Sequence, residues 1–400
     1  MGVLDGIRVV DLTIWAFGPG CGGILAHWGA DVVKIEAPNR PDPMRGMGAQ
    51  PGAPSSLMFR HYNRGKRGMT LDLGAPAGQE VLRRLLERAD VFLTSYLTAT
   101  RQKLRFDIDD VRAINPRVVY AKATGHGPRG PEAERGGFDL ATFWSRGGMA
   151  HSAAIAAGVE APPTMFGHGD GLAGFALAAG VCAGLLQREL TGVAPVVDAS
   201  LLGTAMWFLG PYLAQADGQR MPQLGETPRE QRGPGSNAYR TKDGRYIQLT
   251  ILGGPEDWLD LYHHLGHPEL AHDPRFAGLG NRVPLDPAAT AAAIAVLDEI
   301  FAQRTLAEWS VALATTRAVW APVQSLQELA EDQQTVANGF VCPVPGEPDG
   351  LRLVAPPVLF DQEPGIAGSA PDVGQHTEEI LAELGYSAAE IARLRAVGAA

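Results

Sequence analysis

The chain has 400 residues, 45% hydrophobic and 20% charged, with a net charge of −10 at neutral pH. That is length enough for two domains with separate cores, and the acidic balance without long like-charge runs counts against a nucleic-acid or membrane-surface partner. Cys21, Cys182 and Cys342 are too widely spaced for a disulfide framework or a zinc site, and the first residues lack a secretory signal, so the expected compartment is the reducing cytoplasm and the expected partners are small molecules.

Ile7 to Leu12 reads as a buried strand, Cys21 to Trp28 as a small-residue helix and Asp31 to Glu36 as a second strand, a βαβ unit. Within it, Gly18-Pro-Gly20-Cys-Gly-Gly23 matches G-x-G-x-x-G, and Glu36 ends the second strand near the spacing of a ribose-binding acid, so a dinucleotide enzyme is one reading. The five residues between Leu12 and Gly18 count against it, as does Pro19 in the turn, because that fingerprint follows its strand almost at once. His61 to Gly68 reads as a polar loop, Met69 to Leu73 as a strand, Ala77 to Ala89 as a helix, and Val91 to Thr94 and Val118 to Lys122 as strands. Thr124 to Gly137 carries too many turn formers to be anything but a loop.

Met165 to Leu190 then sets a lone carboxylate, Asp170, between Gly169 and Gly171, where a loop becomes a helix that is apolar on every side. Gly171 to Leu186 has no charged side chain, which predicts a buried helix, too short at about 1.5 Å per residue to cross a membrane. Asp170 suits a plain N-cap, while Gly167, Gly169 and Gly171 leave room for a ligand near the backbone. Pro195 to Ala199 reads as a strand and Leu201 to Ala214 as a helix, so residues 1–214 are predicted to form the first part of a Rossmann-like, doubly wound α/β domain.

Residues 215–237 read as a linker. Residues 238–325 read as a smaller α+β domain, with a hairpin around Lys242-Asp-Gly244 and helices at Glu256 to Leu265, Ala289 to Gln303 and Leu306 to Thr315. Residues 326–400 are a second linker and a return to the large domain, closing with helices at His376 to Leu384 and Ala388 to Val397.

Several strings together resemble the family III CoA-transferases, which include formyl-CoA transferases, carnitine CoA-transferases and α-methylacyl-CoA racemases. They include Leu4-Asp-Gly-Ile-Arg-Val-Val-Asp-Leu-Thr13, Gly29-Ala-Asp-Val-Val-Lys-Ile-Glu36, Asn63-Arg-Gly-Lys-Arg67, Gly169-Asp170, Val197-Asp-Ala-Ser-Leu-Leu202, Arg304-Thr-Leu-Ala-Glu-Trp309 and Gly374-Gln-His-Thr-Glu-Glu379. The resemblance implies a CoA-transferase with Asp170 as covalent nucleophile, passing through an aspartyl anhydride and an aspartyl-CoA thioester. It implies no tightly bound cofactor and no metal, coenzyme A as substrate with a small carboxylic acid, and an interlocked homodimer. It places Trp15, Ala16 and Phe17 along CoA, and Arg64, Lys66, Arg67 and Lys103 against its phosphates. Backbone N–H groups at the helix start and in the glycine loops are the implied oxyanion donors, and Gly253-Gly254 takes the place of a lid. Phe138-Asp139 lies where racemases of the family carry a His before the Asp. A phenylalanine carries no proton, so racemisation is disfavoured unless His126 or His168 replaces that base. An acyl-CoA racemase or isomerase, and a CoA-binding protein without turnover, are the alternative readings.

Overall fold

Six short apolar runs build a parallel sheet from β1 (Arg8–Leu12), β2 (Asp31–Glu36), β3 (Arg67–Thr70), β4 (Val91–Thr94), β5 (Val119–Thr124) and β6 (Val196–Ser200). Their order is β3-β2-β1-β4-β5-β6, with every neighbouring pair parallel. Near-continuous burial, as in β4 where all four residues are buried, is what a sheet covered by helices on both faces demands. Alternate side chains of β1 serve opposite cores. Val9 packs with Leu25, Val91 and Leu177, and Val10 with Val81, Phe92 and Ile380. This is the Rossmann-like doubly wound architecture expected from the sequence, and its order reverses between β1 and β4, where such sheets open a crevice beyond the strands' C-terminal ends.

The structure, a computed structural model, describes residues 2–53, 55–160, 162–216, 219–220, 226–280, 286–345, 350–365 and 368–400. The chain divides into two units, one of Met1–Ala154, Gly158–Met221 and Gln333–Ala400, the other of Ile155–Ala157 and Pro222–Asp332. In the first, the sheet is joined by α1 (Phe17–His27), α2 (Leu57–Asn63), α3 (Pro76–Glu87), α4 (Thr98–Lys103), α5 (Ile108–Ile114), α6 (Met149–Ala157, whose last residues group with the second unit), α7 (His168–Thr191), α8 (Leu201–Phe208) and α9 (Gly210–Leu213). A short pair, β7 (Gln215–Ala216) and β8 (Gln219–Arg220), follows within the expected linker, of which residues 217–218 and 221–225 lie outside the described residues.

The second unit holds an antiparallel sheet of order β11-β10-β9, made of β9 (Ala238–Arg240), β10 (Tyr246–Thr250) and β11 (Val319–Pro322). The expected hairpin turns at Gly244, whose φ of 79° is a conformation glycine adopts without a Cβ clash. α10 (Pro255–Leu265), α11 (Pro287–Phe301), α12 (Leu306–Ala312) and α13 (Leu326–Glu331) complete the unit around Tyr239, Trp258, Leu297 and Trp309. Its third strand, β11, is not among the elements read from the sequence. Back in the first unit come α14 (Gln333–Ala337), the antiparallel pair β12 (Val341–Pro343) and β13 (Arg352–Val354), α15 (Thr377–Glu383) and α16 (Ala388–Ala396).

Three helices differ from expectation in ways that matter for the site. α1 begins at Phe17, four residues before the expected start, so the glycine run lies inside the helix, with Pro19 tolerated in its first turn. The expected single helix from Leu201 breaks after Phe208, ahead of Gly210-Pro211. α7 spans 24 residues, long and apolar enough by length to cross a membrane, which corrects the length argument made from Gly171 to Leu186. Nor is it covered on every side in the chain alone. Ala173, Leu177, Ala178 and Val181 are fully buried, whereas Leu172, Leu186 and Leu190 are exposed.

Candidate active site

Beyond the C-terminal ends of β1 and β2, buried charges hold the connecting loop. Lys34, wholly enclosed in β2, donates to Asp42 Oδ2 at 2.8 Å and to the Thr13 carbonyl at 2.9 Å. Asp42 in turn accepts the Trp15 N–H at 3.0 Å, and Ser95 Oγ accepts that of Ile14 at 3.0 Å. Trp15 sits at φ 70°, an uncommon place for a bulky residue, and this web of bonds keeps it there. Glu36, the expected ribose-binding acid, is unavailable because Arg45 grips both of its oxygens at 2.9 and 2.6 Å while Oε1 also accepts the Asp42 N–H. The dinucleotide reading falls with it. The α1 glycines face α7 and α2 instead of a pyrophosphate: a Cβ on Gly20 would lie 3.2 Å from the Tyr62 ring, and one on Gly23 2.6 Å from the Tyr62 carbonyl.

Asp170 occupies the third position of α7 and is not its cap. The N-cap is Gly167, at φ 82°, and the capping side chain comes from Asp139. Asp139 opens a π-helical segment, Asp139–Arg146, and is buried; its Oδ2 accepts the Gly167 N–H and its Oδ1 the Gly169 N–H, both at 2.7 Å. The Gly171 N–H goes to the Gly167 carbonyl. The N–H groups of Gly167, Gly169 and Gly171 are therefore taken without the Asp170 side chain, whose half-buried carboxylate has no hydrogen-bond or ion-pair partner among the described residues. Burial, and secondly the negative charge of Asp139, push the Asp170 carboxyl up to about 7. The Tyr62 hydroxyl is pushed up to about 12 by burial, then by Asp170 and Asp139.

Asp170 lines a cavity of about 380 Å³ with Trp15, Phe17, Tyr96, Thr124, Gly137 and Phe138, and the exposed ring of Phe138 meets Trp15 edge to face with centroids 5.5 Å apart. The loop from Gly125 to Gly137 forms one wall, its ends so close that a Cβ on Gly125 would lie 2.7 Å from the Gly137 Cα. Glu134 fastens this loop to α4 by accepting the Thr98 hydroxyl at 2.6 Å and the Thr98 N–H at 3.1 Å. Trp15, Phe17, Phe138 and Asp170 thus share one cavity.

The six other expected site residues fall elsewhere. Ala16 is fully buried beside Met44 and Phe59. Asp139 points into the α7 clamp, and two of the helix-start N–H groups expected as oxyanion donors are spent on it. Lys66 is sealed beneath α1, donating at 2.8 to 2.9 Å to Asp11, Asn63 and the Pro19 carbonyl, so it has no hydrogen left for a phosphate. Arg67 lies at the strands' opposite, N-terminal edge, bonded to Asp31, Glu379 and Glu383. Arg64 is buried, donates to the Val354 carbonyl, and lines a different cavity of about 750 Å³ with His27, His61, Phe175 and Trp207. Burial, then the Arg64 charge, lowers both His27 and His61 to about 4. Lys103 is exposed at the end of α4, whose Thr98, Thr100 and Arg101 reach the Asp170 cavity. His126 faces the Arg146 guanidinium at 3.3 Å, and His168 is exposed at the start of α7. Gly254 caps α10 within the second unit, where Gly253 abuts the Asp257 carboxylate.

Sequence reasoning missed Lys34, Asp42, Glu134 and the capping role of Asp139. A lysine inside the apolar run Asp-Val-Val-Lys-Ile-Glu was a usable signal for the first, since a buried cation requires a buried partner. The pairing of Asp139 with amides 28 and 30 residues away had none.

Residues 4–377 match the family described as CoA-transferase family III. The chain is 32% identical over 398 residues to the (R)-2-hydroxy-4-methylpentanoate CoA-transferase of Clostridioides difficile, with 97% of each chain covered. It is 29% identical over 404 residues to the cinnamoyl-CoA:phenyllactate CoA-transferase of Clostridium sporogenes, covering 98% of this chain and 96% of that one. Among solved structures it is similar to a CAIB/BAIF family protein from Brucella suis, with a TM-score of 0.79, 29% identity, and 96% and 99% of the two chains covered.

Proposed function

Because the chain belongs to CoA-transferase family III, we propose that it moves CoA from an acyl-CoA to a free carboxylic acid with Asp170 as the covalent nucleophile. The observation that carries this reading is the unpaired Asp170 carboxylate, relieved of capping by Asp139 and open to the cavity at the C-terminal edge of the sheet.

The carboxylate attacks the thioester carbonyl, the C–S bond breaks, and CoA leaves as thiolate, giving a mixed anhydride. The thiolate sulfur then bonds to the Asp170 Cγ, and the first acid departs with the electron pair of the broken C–O bond. An acceptor carboxylate reverses both steps on the resulting aspartyl-CoA thioester. Each step exchanges one acyl derivative for another, so the cost falls mainly on stabilising the tetrahedral oxyanions. With the Gly167 and Gly169 N–H groups spent on Asp139, the donors for this task come from the remaining N–H groups of the α7 start and from the loop glycines Gly136-Gly137, which line the cavity. Trp15, Phe17 and Phe138 form an apolar wall for the CoA arm, and Lys103 is the one expected phosphate cation that remains exposed. Racemisation needs a second acid/base at the position of Phe138, which has none. The exposed apolar residues Leu186, Leu190, Met206 and Trp207 on α7 and α8 support the interlocked homodimer implied by the family, testable by native mass spectrometry of mixed tagged and untagged chains.

The relatives' names include a branched 2-hydroxy acid and phenyllactate, so 2-hydroxyacyl-CoAs head the test panel. Incubation with the acyl-CoA donor should give an adduct at Asp170 that hydroxylamine removes, and Asp170→Asn should lower transfer at least about a thousandfold while CoA still binds. Retention of a tenth of the activity would sink the reading.

A further inference from the structure

Two amides just before Asp170 are held by one carboxylate. Asp139 accepts the Gly169 N–H with one oxygen and the Gly167 N–H with the other, so it grips the chain on the N-terminal side of the nucleophile at two points within three residues. Its packing leaves no slack. A Cβ on Gly169 would lie 2.4 Å from Asp139 Oδ1 and 2.2 Å from the Phe143 ring, so the residue before Asp170 has to be glycine for the clamp to close. Gly167 reaches the clamp through a left-handed conformation, at φ 82°. The carboxylate and the ring come from the same π-helical segment, Asp139–Arg146, and Phe138 just before it stands in the cavity wall against Trp15. One short segment therefore shapes the cavity and fixes the turn that presents the nucleophile.

We propose that Asp139 is a positioning residue for CoA transfer, which holds the Gly167–Gly169 turn so that Asp170 faces the cavity and sets a second negative charge beside it. This rests on the role of Asp170 proposed above. The second charge has a chemical use. In the mixed anhydride the thiolate meets two carbonyls: attack at the acyl carbonyl expels the Asp170 carboxylate and returns the donor, whereas attack at Asp170 Cγ expels the acyl carboxylate and moves the reaction forward. The weaker base leaves more readily, so an Asp170 made more basic than an ordinary acid favours the forward route. Burial is the larger cause of that basicity and Asp139 the second. The other titratable group facing Asp170 is Tyr62 of α2, neutral near pH 7, while Lys122, Arg101 and Glu134 line the same cavity and are engaged with Asp198, Asp107 and Thr98.

The test is the pH profile of kcat/KM for the acyl-CoA donor, measured on the wild type, Asp139→Asn and Asp170→Asn. The asparagine keeps one carbonyl oxygen for the clamp and removes the charge. Expected are an acid limb that moves down by about one pH unit, a kcat lowered about tenfold at pH 8, and a KM for acyl-CoA unchanged within about twofold. An acid limb that stays where it is, with or without a lower melting temperature, overturns the inference. Should Asp139→Asn not fold, Asp139→Glu keeps the charge and shifts it by one methylene. A lowered kcat with the limb in place then supports positioning, and an unchanged kcat overturns it. If Asp170→Asn retains activity, the functional reading itself fails; if it is inactive and Asp139→Asn behaves as wild type, only this inference fails.

Discussion

The chain contains two glycine-rich runs that enter apolar helices, Gly18 to Gly23 in α1 and Gly167 to Gly171 in α7, and they do opposite work. In α1 the glycines lie past the helix start and are buried; they let the backbone press against Tyr62, the Lys66–Asp11 pair and α7, where a Cβ on Gly174 would lie 3.1 Å from the Phe17 carbonyl. In α7 they straddle the helix start. There a carboxylate from another segment takes two of the free amides, and Asp170 is left facing a cavity. A glycine motif thus says that backbone comes close to something, and only the neighbour across from it says whether that is protein or ligand.

The largest stability effect should come from the charge beneath α1. Lys66→Met leaves Asp11 buried without its cation, which costs about 3–5 kcal/mol; Lys103→Met, at an exposed site, should change stability by less than about 0.5 kcal/mol and weaken CoA binding instead. Equal and small losses for both would mean that Lys66 is not sealed under α1. Next comes steric room. Gly23→Ala drives a Cβ to 2.6 Å from the Tyr62 carbonyl, whereas Gly171→Ala meets nothing nearer than the Tyr62 hydroxyl at 3.7 Å. Chemical denaturation should find the first destabilised by about 1–3 kcal/mol and the second neutral or up to about 1 kcal/mol more stable. If Gly23→Ala keeps its stability, the close-packing account of the α1 run is wrong.

The same contrast marks what was legible in the sequence. Strand identity, the alternation of strands and helices and the isolation of Asp170 could be read locally, because period, apolar runs and turn residues are near-neighbour properties. The start of α1 could not, since Phe17-Gly-Pro-Gly20 looks locally like a turn until the glycines are seen packed against Tyr62 and α7. Nor could the fates of the basic residues. Arg64, Lys66 and Arg67 stand almost side by side in one polar string, yet they point to a second cavity, a buried ion pair and the far edge of the sheet. Which carboxylate a lysine or arginine meets is decided by residues 36 to more than 300 positions away, and composition carries no trace of that.

The smallest effect distinguishes a cap from a nucleophile without any substrate. A capping carboxylate is favoured by its helix as an anion, so replacing it by asparagine costs stability at neutral pH. Asp170 is in the reverse position. Burial first, then Asp139, raise its carboxyl from 3.8 to about 7, so ionising it in the folded chain is a penalty. That penalty is absent below 3.8, where folded and unfolded chains are both protonated; it grows as the pH rises from there and is complete above about 7. Asp170→Asn removes it. Allowing for solvent screening, the variant should be more stable than wild type at pH 8 by on the order of 1 kcal/mol, or about 2 °C in melting temperature, and the gain should shrink steadily toward pH 4. Melting curves for the two proteins at pH 4, 6 and 8 check this directly. A variant that is less stable at every pH would return Asp170 to the role of a cap and erase the difference between the two glycine runs.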